Sequence, residues 1–124
     1  MQTIDRVFGW LLVVGGILHT VGSVRGLAHK PDVLVWALSG SLAALLLAAL
    51  NLMRVNRPAD RALALVCTAG SIAWVGIAVG FGVSIGNALD PRALIHAVNA
   101  AVLAGFSIRT VARASQGPSS RGQG

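Results

Sequence analysis

Apolar residues run along this chain in four long blocks, 7–24, 33–53, 62–86 and 93–112, separated by short polar clusters. Each block approaches or exceeds the roughly 20 residues that a helix needs to cross a hydrocarbon core at about 1.5 Å per residue. The pattern predicts four membrane-spanning helices and leaves almost nothing for a soluble domain. The connections carry helix punctuation: Gly26 and Pro31 in the first, Asn56 and Pro58 in the second, Asp90 followed by Pro91 in the third. Asp at an N-cap with Pro behind it is a helix start. Connections this short force consecutive helices to pack antiparallel. The predicted fold is all-α: an integral membrane four-helix bundle built from two antiparallel αα-hairpins. It occupies residues 1–114. The Gly-, Ser- and Gln-containing segment 115–124 has no apolar side to bury and is expected to be a disordered cytoplasmic tail.

Composition supports the membrane reading. Hydrophobic residues make up 55% of the chain and charged ones 11%, well below the roughly 25% of a soluble domain. The net charge of +6 could suggest nucleic acid, but its distribution does not. Arg6, Arg54, Arg57, Arg61, Arg109, Arg113 and Arg121 fall on one side of the spans, and Arg25, Lys30 and Arg92 on the other. The positive-inside rule assigns the richer side, with both termini, to the cytoplasm of a bacterial inner membrane. Arg54, Arg57, Arg61, Arg109 and Arg113 are then placed to contact anionic lipid headgroups. The expected partners are the bilayer and a second copy or a membrane complex, with no nucleic acid. The first span is read as a retained helix rather than a cleaved signal, because Asp5 dilutes its basic start and His19 interrupts its apolar run. Cys67, the single cysteine, lies within the third span as a small apolar filler.

Small residues recur at helix-packing spacing. Gly15 and Gly22 flank His19 on one stripe of the first span. Gly76, Gly80 and Ser84 line the third, with Gly86 beyond them. Lipid gives helices no hydrophobic reason to associate, so close backbone approach through such residues supplies packing. The Gly76/Gly80/Ser84 stripe is a candidate oligomer interface.

Only two intramembrane residues suggest chemistry. His19 lies near the end of the first span and His96 near the start of the fourth. In antiparallel helices both fall about 8 Å below the outer boundary. Two histidines at one depth, flanked by small residues, are what axial ligation of a haem b or a two-histidine metal site requires. Ser39, Ser41, Ser84 and Asn99 lie where they could hydrogen-bond such a site or serve as polar packing. No hydrolytic triad, phosphate loop or Cys/His zinc pattern accompanies them.

In length and span number the chain resembles the small multidrug resistance transporters, which also have four short-looped helices and work as dimers. Their coupling depends on a membrane-embedded Glu in the first helix. Here that helix carries His19 instead. The sequence thus points first to a small non-enzymatic inner-membrane protein, oligomeric or an accessory subunit. The alternatives are a bis-histidine haem or metal-binding electron-transfer subunit and a small dimeric transporter.

Overall fold

The computed structural model describes residues 1–115, and most of the expected disordered tail lies outside them. Four helices account for nearly all of the described chain: α1 (Gln2–Leu27), α2 (Pro31–Asn56), α3 (Arg61–Ser84) and α4 (Pro91–Ser115). All four are long and apolar enough to cross a membrane. At about 1.5 Å per residue they reach beyond the roughly 30 Å hydrocarbon core, so their ends lie among the headgroups. Large apolar side chains such as Leu18, Val35, Val83 and Ile95 point out of the bundle, as expected of a surface solvated by lipid rather than water.

The helix ends follow from local chemistry. Pro31 and Pro91 each open a helix, where a missing N–H costs nothing. Asp60 caps α3 by accepting the Leu63 N–H at 2.9 Å. α3 stops at Ser84, two residues short of the apolar block. Gly86 takes φ +72°, Gly86 N–H donates to the Val83 carbonyl and Asn87 N–H to the Gly82 carbonyl. This is a Schellman termination, and it makes Gly86 a stop signal rather than the packing glycine expected from the sequence. The returning chain crosses directly over Gly82, where a Cβ would come within 3.2 Å of the Asn87 carbonyl oxygen. At the start of α4, Asp90 accepts bonds from the Arg92 backbone N–H, Nε and Nη2, each at 2.9 Å. The Arg92 guanidinium holds the Asp90 carboxyl down at about 2. The stability this contributes is present above the ordinary carboxylate range and is lost as pH falls toward 2.

α1 packs along α2, and α3 along α4, as two hairpins. The hairpins meet where α1 touches α4 and α2 touches α3. α2 and α4 also approach across the short diagonal, while α1 and α3 stay apart. Gly9 and Gly16 admit Leu52 and Leu45 of α2 against the α1 backbone, and Gly70 of α3 admits Leu47. At the centre Leu12, Leu47, Ala48 and Leu103 form an apolar plug, with Phe8, Val13 and Trp74 packed around it. Polar residues gather on either side of this plug.

The small-residue faces differ from the expected ones. Gly22, Gly76 and Gly80 have nothing within 4 Å of a would-be Cβ, so they are not packing positions within the monomer. α1 meets α2 through Gly9, Leu12 and Gly16 instead.

Candidate functional site

The half of the bundle nearest the α1–α2 and α3–α4 connections holds both intramembrane histidines. His19 turns toward α2, where its Nδ1 lies 2.8 Å from Ser41 Oγ. The ring lies alongside Gly40, whose would-be Cβ would sit in ordinary contact with His19 Cε1 at 4.0 Å. His96 turns toward α1 and rests on Gly15, where a Cβ would meet ring atom Cε1 at 2.9 Å. Its other contact is an edge-to-face approach to Trp74 of α3, with ring centroids 6.1 Å apart. The two imidazoles are therefore held by different partners. His19 Nε2 and both nitrogens of His96 have no hydrogen-bond partner among the described residues.

The surrounding polar residues divide. Ser41 is buried and meets His19. Asn99 is also buried, and its amide bridges to the α1 backbone, the nitrogen donating to the Phe8 carbonyl and the oxygen accepting the Leu12 N–H, each at 3.1 Å. It pins α4 to α1 just below the histidines. Ser39 and Ser84 face outward and return their protons to carbonyls of their own helices, Val35 and Phe81. They take no part in a histidine site. Among the described residues, no three of His, Cys, Asp and Glu gather as a metal site would require.

The opposite end holds a denser polar cluster that the sequence reading did not assemble. Arg54 is 1% exposed, so it is a core residue and not a headgroup contact. Its Nη2 donates to Asp5 Oδ1 at 2.6 Å and to Asn51 Oδ1 at 3.3 Å, and its Nη1 to Thr110 Oγ1 at 3.0 Å. Asn51 in turn donates to the Leu47 carbonyl and to Ser71 Oγ, and it accepts from Ser107. The buried Cys67 sits beside the same guanidinium. Arg54 thus ties α2 to α1 and α4, and Asn51 carries the network on to Ser71 of α3. Arg54 Nε is buried without a partner, the residual cost of burying this cation.

Helix ends explain the placement. Asp5 lies in the first turn of α1 and Arg54 in the last turn of α2. An anion at a helix N-terminus and a cation at a C-terminus are each favoured by the helix dipole. The signal in the sequence was faint: Asn51 and Arg54 share a face at i, i+3, and Asp5 and Thr110 fall within about two turns of the helix ends on the same side. Of the other expected headgroup arginines, Arg57, Arg61, Arg109 and Arg113 are exposed at this same end.

The chain is a small four-span membrane protein, and it matches no known protein family, no curated protein and no solved structure.

Proposed function

We propose that this is a small non-enzymatic protein of a bacterial inner membrane that works as an oligomer or as a subunit of a larger membrane complex. One observation carries the reading. The Gly76/Gly80/Ser84 face of α3 points away from the bundle, with open space over both glycines. A small-residue face unused inside the monomer suits close packing against a second helix. Gly80→Leu is expected to leave the thermal stability of the detergent-solubilised monomer unchanged and to lower the oligomeric mass. An unchanged oligomeric mass would remove this face from the assembly.

The arginine asymmetry supports cytoplasmic termini. A cysteine introduced at Ala59, in a Cys67→Ala background, is then reachable by a polar maleimide only from the cytoplasm. Labelling of intact cells would reverse the orientation.

A second reading, ligation of a haem b or a metal ion by His19 and His96, has a specific point in its favour. Ser41 on His19 Nδ1 leaves Nε2 free and oriented, the usual arrangement of a ligating imidazole. An absorption spectrum of protein purified from haem-supplemented cells, with and without His19→Ala, decides between ligation and helix packing: a Soret band lost in the variant supports ligation.

A further inference from the structure

Two features lie along α1 and α4, a cavity that α2 also lines and an apolar groove. At the Arg54 end, a cavity of about 80 Å³ is lined by Asp5 and Arg54 on one side and by Phe106, Arg109, Thr110 and Arg113 on the other. Three arginines face one carboxylate there. Asp5 is already paired with Arg54, so the lining carries an uncompensated double positive charge from Arg109 and Arg113. Among the described residues, Arg109 bonds only the Met1 sulfur at 3.3 Å, and Arg113 has no side-chain hydrogen bond or ion pair. Arg54 forms a fixed wall, held by Asp5 of α1 and Thr110 of α4.

The second feature is an apolar groove in the α1–α4 seam, lined by Phe8, Leu11, Val14 and Leu18 of α1 and by Leu94 and Val98 of α4, among others. On α1, Asp5 and Phe8 are one turn apart, so the groove begins about 5 Å from the cavity. From Phe8 to Leu18 it extends about 15 Å along the helix. On α4 the positions 95, 98, 102, 106, 109 and 113 form one helical stripe that runs from groove to cavity.

We propose that this seam binds one anionic phospholipid, with its phosphate at Arg109 and Arg113 and one acyl chain in the α1–α4 groove. The cavity matches a phosphate in size and charge. Arginine forks suit its oxygens. The groove offers no charged side chain and takes the hydrocarbon. A free phosphate would use the cavity alone and leave the groove without a role. This site is narrower than anchoring by loop arginines, because Arg57 and Arg61 do not line it. It does not depend on the oligomeric state.

Native mass spectrometry of the full chain in detergent tests the assignment, with diacyl phosphatidylglycerol, diacyl phosphatidylcholine and inorganic phosphate as probes. Wild type is expected to retain one phosphatidylglycerol in preference to phosphatidylcholine. Arg109→Gln/Arg113→Gln should weaken that binding about 30-fold, and both residues are exposed, so the bundle should persist. Arg57→Gln/Arg61→Gln should bind as wild type does. Val98→Trp, which fills the groove, should also weaken retention of the diacyl lipid. Equal binding by wild type and Arg109→Gln/Arg113→Gln would overturn the site, as would equal loss in Arg57→Gln/Arg61→Gln. Displacement of the lipid by millimolar inorganic phosphate, with Val98→Trp unaffected, would show a free-anion site and overturn the lipid assignment.

Discussion

Asp5→Asn is expected to destabilise the bundle by about 3 kcal/mol. The substitution preserves shape but removes the charge that compensates Arg54, which is 1% exposed. Removing one partner of a buried ion pair typically costs about 3–5 kcal/mol, because the remaining charge has neither water nor a counterion. The lower end applies here, since the adjacent cavity lets water approach Asp5. Arg54 keeps Thr110 and Asn51 as acceptors, but both are neutral. The double variant Asp5→Ala/Arg54→Met should recover most of the loss, because a pair replaced by apolar residues leaves no orphan charge. Equilibrium unfolding in mixed micelles measures both. An Asp5→Asn protein within about 0.5 kcal/mol of wild type, or a double variant less stable than the single one, would deny the ion pair its structural role.

Leu103→Ala should cost about 2 kcal/mol, near the low end of the range for buried leucines. Leu103 is 0% exposed and closes the plug with Leu12, Leu47 and Ala48. In a membrane the released side chain would meet lipid rather than water, so the transfer contribution largely cancels. What remains is the lost packing around a cavity that lipid cannot fill. Leu46→Ala is the matched control. Leu46 is 56% exposed on the lipid face of α2, and its truncation should change stability by less than about 0.5 kcal/mol. Similar losses in both variants would mean that the plug is not the packing centre.

These two predictions rest on rotations that no single helix encodes. Gly15 and Gly16 are adjacent in sequence and about 100° apart around α1. The glycine stripe through His19 suggested that Gly15 and Gly22 formed one packing face. In the bundle, Gly16 receives Leu45 of α2, Gly15 receives the His96 ring of α4, and Gly22 and Gly26 meet nothing. Both faces of α1 are equally apolar, so hydropathy could not separate them. The same ambiguity affects α3, where Gly70 and Gly82 make close contacts while Gly76 and Gly80 remain open.

The polar residues show the same division. Depth along the membrane normal is a local property, because each residue adds about 1.5 Å. That sufficed to group His19 with His96, and to place Arg54 at the arginine-rich end. Azimuth is not local. Arg54 sits three residues from Arg57 and in sequence resembles it, yet one closes the bundle interior and the other is exposed. The difference arises because Asp5 of α1 and Thr110 of α4 converge on the Arg54 side of α2.

What the sequence alone determined is therefore the architecture: four spans, their short antiparallel connections, and the starts of α2 and α4 at Pro31 and Pro91. A helix in lipid satisfies its own backbone hydrogen bonds, so each span is decided by its own apolar length. Which histidine faces which helix, the burial of Arg54 against Asp5, and the presence of a basic cavity and an apolar groove along α1 and α4 were decided only by tertiary structure. Those features depend on how four apolar cylinders rotate against one another, and that is set by contacts between residues far apart in the chain.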